Sequence, residues 1–257
     1  MLKTVLITGA SSGIGYEFAK IFAAEDYHLV LVARDKEKLD RATKELKQQF
    51  NNVKIETISI DLSKADSSKE IYNFCKKNNI QINILVNNAG FATYGFFPEI
   101  DYENELNQMQ LNMVTLTLLT KLFLKDMLKK SYGKILNVSS TAAFQPGPLM
   151  AVYYASKAYV LSFSQALANE LKATGVTVTA LCPGPTRTGF KKRASLENTR
   201  LFKWGVMDAK DVALAGYNGM IIGKSVIIPG FKNKILAFLT RFVPDSISSE
   251  MVKKLQT

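Results

Sequence analysis

Apolar residues in this chain gather into short strand-like runs, separated by longer stretches in which they recur every three or four positions. The runs are Val5-Leu6-Ile7 and residues 29–32, 53–60, 84–86, 135–138, 176–181 and 226–228. Between the first two lie Phe18, Ala19, Ile21 and Phe22 at helical spacing, and helix-like stretches follow over 35–50, 67–77, 101–130, 152–173 and 208–220. Continuously apolar strands are buried on both faces, which calls for a parallel sheet with helices on each side. Right-handed crossovers then predict an α/β, doubly wound domain of about seven strands, with ligands at the carboxyl ends of the strands. Gly175 is expected to cap the helix that precedes strand six, and Asp208 to cap the one that follows it. No repeat, linker or low-complexity tract interrupts the order. Residues 1–230 therefore read as one domain and 231–257 as a helical extension of it.

Composition narrows the class. The chain has 257 residues, 47% hydrophobic and 21% charged, enough to bury a core without a disulfide or metal staple. Its two cysteines, Cys75 and Cys182, are far apart and in no metal-like spacing, which points to a reducing compartment, the cytoplasm. Met1-Leu2-Lys3-Thr4 leads into the first strand without a signal-peptide pattern. No apolar stretch approaches the ~20 residues that span a bilayer. His28, the one histidine, opens the apolar run His28-Leu-Val-Leu-Val, where a strand-start role outweighs catalysis; a histidine-rich metal site is excluded and no metal is expected. The formal charge is +11, of which +8 lies in residues 187–257, where 13 Lys/Arg face 5 Asp/Glu. That surface is either solubilising or attractive to an anionic substrate, carrier or membrane. Nothing else favours nucleic acid, since no base-stacking or groove-reading module is present.

Candidate chemistry begins at Thr8-Gly9-Ala10-Ser11-Ser12-Gly13-Ile14-Gly15, between the first strand and its helix. Glycines there allow a tight turn and close backbone approach, and the helix N-terminus offers N–H groups to a pyrophosphate. The Gly-x3-Gly-x-Gly spacing departs from the commoner Gly-x-Gly-x2-Gly, yet the strand–turn–helix context makes this a Rossmann-type dinucleotide turn. An acidic residue at the end of strand two would bind a ribose 2′-hydroxyl, whereas an arginine accommodates a 2′-phosphate. Ala33-Arg34 stands there, with Asp35 one place later, so the expected cofactor is NADP(H). Further on, Tyr153 and Lys157 are four apart on one helix face. An ammonium near a phenol favours phenolate and lowers its reference pKa of about 10.

These motifs, with Asn87-Asn88-Ala89-Gly90, Asn112, Ser140 and Pro183-Gly184, resemble the short-chain dehydrogenase/reductase family in order and spacing from residue 8 to about 188. The resemblance is to its shorter-chain, NADP-type branch rather than to the longer sugar-nucleotide epimerases. It implies that Tyr153 is the proton donor to a carbonyl oxygen, or the base in the reverse direction. It implies that Lys157 holds the nicotinamide ribose and lowers the Tyr153 pKa, that Ser140 hydrogen-bonds the substrate oxygen, and that Asn112 anchors a water leading from Lys157. It also implies a cofactor site over Gly9, Ser11, Ser12, Gly13, Ile14, Gly15, Arg34, Asp61, Leu62, Asn88, Ala89, Gly90, Tyr153, Lys157, Pro183, Gly184, Thr186 and Thr188. Asp61 would meet the adenine and Thr188 the carboxamide. Two neighbours are set aside: Tyr154 has Ala158, not a lysine, four residues on and reads as packing or pocket wall, and Ser139 faces away from Ser140.

The expected activity is NADPH-dependent reduction of a ketone or aldehyde, or oxidation of the alcohol. The alternatives are a 3-oxoacyl thioester reductase of lipid metabolism and, remotely, an NADP-sensing regulatory protein. Residues 91–97, rich in aromatics, and 142–150 read as pocket walls. Residues 186–207, with Lys191-Lys192-Arg193 and Trp204, read as a substrate lid. Together they favour a hydrophobic substrate. Beyond Val226-Ile-Ile-Pro-Gly230, the helical stripe of Ile235, Phe238, Leu239, Phe242 and Val243, flanked by Lys232, Lys234 and Arg241, is expected to dock on its own domain or a sister subunit, or to touch a membrane surface. A homodimer or homotetramer is the expected assembly.

Overall fold

The structure, a computed structural model, describes residues 3–190, 194, 199 and 205–256, with the side chain of Arg241 set aside. Strand β1 (Thr4–Thr8), β2 (His28–Ala33), β3 (Ile55–Ser59), β4 (Ile84–Asn87), β5 (Gly133–Val138), β6 (Val176–Leu181) and β9 (Val226–Ile227) form one sheet in the order β3-β2-β1-β4-β5-β6-β9. Every pairing in it is parallel. The order reverses between β1 and β4, which opens a crevice at their carboxyl ends. A separate pair, β7 (Thr186–Arg187) and β8 (Met207–Asp208), ties the two ends of the 186–207 segment together. The interior lid residues Lys191, Lys192, Arg193 and Trp204 lie outside the described residues.

Helices α1 (Gly13–Ala24), α2 (Lys36–Gln49) and α7 (Ala209–Ile221) cover one face, where Phe18, Phe22, Leu39 and Leu46 pack with Val5, Ile7, Leu29 and Leu31. Helices α3 (Ser67–Lys77) and α5 (Leu116–Lys129) cover the other, where Ile71, Phe123 and Met127 meet Leu6, Val30 and Leu85. The alternation follows from strand geometry, since successive residues of β1 point to opposite faces and both faces are apolar. His28 begins β2 and is buried. Cys75 and Cys182 are both free and buried.

Four expectations need correction. Strand β3 is not buried on both faces: its residues are half-buried or exposed because it is an edge strand, with Glu56 and Thr57 among its apolar positions. The helix read over 101–130 is α4 (Tyr102–Met109) and α5 joined by a π-helical segment, Gln110–Thr115, which carries Asn112. Gly175 does not cap the helix before β6. That helix, α6 (Ala151–Glu170), is capped at Leu171, and Gly175 takes φ +80° in the following turn, against the Ser131 carbonyl. Asp208 stands at the N-cap of α7 without a side-chain cap bond, because its carboxylate pairs with Arg187 at 3.2 Å.

Beyond β9 the chain forms α8 (Phe231–Leu239) and α9 (Asp245–Gln256). The α8 stripe does not dock on its own domain: Ile235, Phe238, Leu239 and the following Phe242 are exposed, and Ala237 is the buried residue of that helix. Packing falls instead to α9, through Ser248, Val252 and Gln256. Among the described residues no helix is long and apolar enough to cross a membrane.

Candidate active site

One cleft of about 1060 Å3 runs along the carboxyl ends of the strands, from Arg34 and Asp61 to Tyr153 and Phe190. Its floor at one end is main chain. Gly9 and Gly13 take φ +66° and +58°, conformations open to glycine and costly for residues with a Cβ. A Cβ on Gly9 would meet Asn88 Nδ2 at 2.8 Å, and one on Gly13 would meet Thr188 Cγ2 at 3.0 Å. The Ser12 side chain makes no cap bond at the start of α1, so the first-turn N–H groups face the cleft without a side-chain partner from that residue. This cradle fits a pyrophosphate, because close backbone approach and a helix N-terminus are what such a group needs.

The turn is locked from across the sheet. Thr8 Oγ1 accepts from the N–H groups of Asn88 and Ala89 at 2.9 and 3.0 Å, while Asn88 Nδ2 donates to the carbonyls of Thr8 and Gly9 at 2.9 and 3.3 Å. Gly15 does not line the cleft. A Cβ there would run into the Gly9 carbonyl, so this glycine allows the turn to close.

At the end of β2, Arg34 is exposed beside the cleft, 3.8 Å from Asp61. Asp35 is committed elsewhere: it caps α2 by accepting from the Lys38 N–H at 3.0 Å and pairs with Lys38 Nζ at 2.7 Å. Burial pushes the Asp61 carboxyl up, but hydrogen bonds from the Ser63 N–H and Oγ and the charges of Arg34 and Lys64 outweigh it and hold the group below its ordinary value. Asp61 is thus ionised and hydrogen-bonded to Ser63.

The other end gathers side chains. Strand β5 delivers Ser139 and Ser140, and α6 delivers Tyr153, Tyr154 and Lys157. Ser139 Oγ donates to the Lys157 carbonyl at 2.8 Å and is used up in anchoring α6. Ser140 begins the short 3-10 turn Thr141–Phe144, accepting from the Ala142 N–H at 3.1 Å and donating to the Pro183 carbonyl at 3.4 Å, with its hydroxyl beside the Tyr153 phenol. Lys157 Nζ donates to the Val138 carbonyl at 3.0 Å and lies 5.6 Å from the centre of the Tyr153 ring.

Burial governs the titration of this pair. It pushes the Tyr153 phenol well above its ordinary value, against the opposing Ser140 hydrogen bond. It pushes the Lys157 ammonium down to about 8. The expectation that Lys157 lowers the Tyr153 pKa is therefore not met in this structure. The lysine sits over the ring, bound to a carbonyl, and desolvation of the phenolate is the larger effect.

Asn112 does not line the cleft either. From the π-helical segment its Nδ2 donates to the Phe91 carbonyl at 2.9 Å and to Ser156 Oγ at 3.2 Å, and Ser156 Oγ donates to the Tyr153 carbonyl at 2.7 Å. Its Oδ1 would lie 3.1 Å from a Cβ on Gly90. It stands directly behind the cleft wall, beside Lys157. The remaining predicted positions, Ser11, Ile14, Leu62, Ala89, Pro183, Gly184 and Thr186, all line the cleft. Of the aromatics in 91–97, Phe91 and Tyr94 line it while Phe96 and Phe97 are exposed outside it.

Residues 3–199 match the model of the short chain dehydrogenase family. The chain belongs to the short-chain dehydrogenase family. It is 35% identical over 186 residues to the human very-long-chain 3-oxoacyl-CoA reductase, a match that covers 69% of this chain and 57% of that protein. The chain thus spans somewhat over half the length of that relative. A short-chain dehydrogenase from Sphingobium yanoikuyae, solved with NADPH, is 32% identical and superposes with a TM-score of 0.83, covering 95% of this chain and 98% of that one. The bulky-bulky ketone specific alcohol dehydrogenase from Comamonas testosteroni is 31% identical with a TM-score of 0.79, covering 94% of this chain and 92% of its own.

Several residues of this short-chain dehydrogenase escaped the sequence reading. Lys38 lines the cleft beside Arg34, and its position four residues on, in the first turn of α2, was the available signal. Ser156, between the proposed tyrosine and lysine, carried no sequence signal. Helix α9 reaches the cleft from a hundred residues away: Val252 packs with Ala92, Ala142, Met150 and Tyr154. Among the described residues no group of three or more His, Cys, Asp or Glu is placed to hold a metal.

Proposed function

We propose that this chain is an NADPH-dependent reductase of hydrophobic ketones or aldehydes, with Tyr153, Ser140, Lys157 and Asn112 as its working set. The observation that carries the reading is the meeting of Ser140, Tyr153 and Lys157 in the cleft that also holds the glycine turn. Gly9, Ser11, Ser12, Gly13 and Ile14 would hold the pyrophosphate, Arg34 with Lys38 the 2′-phosphate, Asp61 and Leu62 the adenine, and Asn88, Ala89, Gly90, Pro183, Gly184, Thr186 and Thr188 the nicotinamide half. A reduced nicotinamide held there would supply the hydride that the carbonyl carbon takes up. Tyr153 Oη gives its proton to the oxygen, so a C–H and an O–H bond form as the C=O π bond breaks. Burial keeps the phenol protonated before the step, as a donor must be. Ser140 Oγ donates a second hydrogen bond to the same oxygen and stabilises the charge that develops there. Lys157, poised near neutrality, restores the proton to Tyr153, and Asn112 fixes the wall behind it.

A 3-oxoacyl thioester is the second reading, favoured by the activity named for the human relative and by the +8 carried on residues 187–257. Both are tested by one experiment. Purified protein is given ketones, aldehydes and oxoacyl thioesters with NADPH and with NADH, following loss of reduced-nicotinamide absorbance. Turnover of ketones or aldehydes with NADPH is expected; turnover of thioesters alone would transfer the reading to the second, and none at all would end both. The exposed apolar residues of α8, with Lys232 and Lys234, suit a sister subunit in a dimer or tetramer, or an anionic membrane surface. Sedimentation velocity and co-sedimentation with anionic vesicles separate those two. The free thiols suit a reducing compartment, the cytoplasm in this reading.

A further inference from the structure

Helix α9 packs with an unusual stripe inward. Its buried positions are Ser248, Val252 and Gln256, two of them polar, while Ile247, Met251 and Leu255 are exposed on the neighbouring face. Apolar burial alone would turn the helix the other way. What holds it is a set of hydrogen bonds at Gln256, which is 1% exposed. Tyr94 Oη donates to the Gln256 carbonyl at 2.8 Å, and Gln256 Nε2 donates to Tyr154 Oη at 3.1 Å. Oε1 of that amide is buried with no hydrogen-bond partner among the described residues, so either orientation of the amide keeps one bond to the phenol.

The two tyrosines belong to different segments of the substrate end. Tyr94 lies in the loop after β4, and Tyr154 lies in the first turn of α6 beside Tyr153, whose ring it meets edge-on with centres 6.0 Å apart. The segments are joined once more by the Gly95 N–H, which donates to the Leu149 carbonyl at 2.9 Å. On its far side the Tyr154 ring lies flush against Gly147, where a Cβ would overlap it. Tyr154 is thus fixed between a glycine and an amide, and both tyrosines line the cleft while Gln256 stands behind them.

We propose that Gln256 is a positioning residue that sets the size limit of the substrate end, by holding the rings of Tyr94 and Tyr154 closed against the cleft. This rests on the carbonyl-substrate reading above. Gln256 ties the two aromatics together, Tyr94 through its main-chain carbonyl and Tyr154 through its side-chain amide, and so narrows the space beside Tyr153; loss of the side-chain amide lets Tyr154 turn outward while the Tyr94 bond remains. Small ketones, which do not reach the wall, are unaffected.

The test uses acetophenone as the small probe and benzophenone as the bulky one, measuring dissociation constants by calorimetry on NADP+-saturated protein. Gln256→Ala should improve benzophenone binding relative to acetophenone by about fivefold, the equivalent of one net hydrogen bond. NADP+ affinity should not change. Tyr154→Phe keeps the ring and removes the hydroxyl, so it should give the same shift, and the double variant should add nothing further. Tyr154→Phe also serves if Gln256→Ala folds poorly. A ratio equal to wild type in both variants, a shift matched by lost NADP+ affinity, or no binding of either ketone would each overturn the inference. Turnover is read separately: ketones bound with these ratios but not reduced with NADPH would break the proposed function and leave the role of Gln256 standing.

Discussion

At the β1–β2 end of the cleft the wall is mostly main chain, whereas at the Tyr153 end it is side chains carried on a helix, on loops and on α9. Gly9, Gly13 and Gly15 admit a ligand because they lack side chains, and the Thr8–Asn88 bonds lock the turn from the neighbouring strand. The opposite end has few backbone constraints of that kind. Its shape depends on Tyr94, Met150, Tyr154, Phe190 and Val252, which come from four separate places in the chain. A main-chain site tolerates little change and serves one kind of ligand. A side-chain site can be reshaped by single substitutions, so cofactor binding and substrate choice can vary independently on one scaffold.

The sharpest way to break this division is Tyr153→Phe. Turnover should fall by about 10²- to 10⁴-fold, as expected for a lost general acid, with NADPH affinity unchanged. Substantial residual turnover would remove Tyr153 from the chemistry, and a matching loss of NADPH binding would mean that the two ends are not independent.

Next in size is the pH response of Lys157. Its folded pKa is near 8, below the ordinary 10.5, because burial disfavours the charged form. Between those values the folded chain holds fewer protons at this site than the unfolded chain, so its contribution to stability rises with pH across that window. The shift corresponds to about 3 kcal/mol at most. Denaturant titrations from pH 7 to 10.5 should show wild type gaining stability relative to Lys157→Met; parallel curves would contradict the burial argument.

Gly15→Ala tests the main-chain end directly. The new Cβ would press on the Gly9 carbonyl and on Asn88 Nδ2, so a loss of about 1–3 kcal/mol of stability is expected, together with weakened NADPH binding. Thermal unfolding with and without NADPH reads both, and an unperturbed protein would show that the turn is not closed as described. Smallest is Arg34→Ala. The side chain is largely exposed, so its loss should weaken NADPH by about tenfold and NADH hardly at all, the worth of one solvated charge-assisted contact. Equal effects on both cofactors would overturn the NADP assignment.

Most of the sheet was readable because buried parallel strands leave a local mark, runs such as Leu29 to Val32 that need no partner to be recognised. Strand β3 escaped this rule because an edge strand is solvated on one side, and its local mark was the polar residues Glu56 and Thr57 within the run. The glycine turn and the Tyr153–Lys157 pair were legible through spacing, since chemistry that needs a tight turn or a shared helix face imposes fixed intervals, whereas Asn112 and Ser140 were legible only through the resemblance to the family. Their exact settings were not. That Asn112 rides a π-helical segment behind Gly90, that Ser139 is consumed by the Lys157 carbonyl, and that burial outweighs the lysine charge at Tyr153 are consequences of packing.

The sequence by itself determined the doubly wound sheet, the place of the phosphate turn and the identity of the candidate acid, because each is encoded by residues within one or two turns of each other. Only the tertiary structure decided which stripe of the last helices is buried and what stands behind the substrate end. Residues 235–242 carry the more apolar pattern, yet Gln256 and Val252 make the contacts, since hydrogen bonds to Tyr94 and Tyr154 depend on where three distant segments meet. Such meetings have no local signature, and so the end of the cleft that selects the substrate is the part the sequence left open.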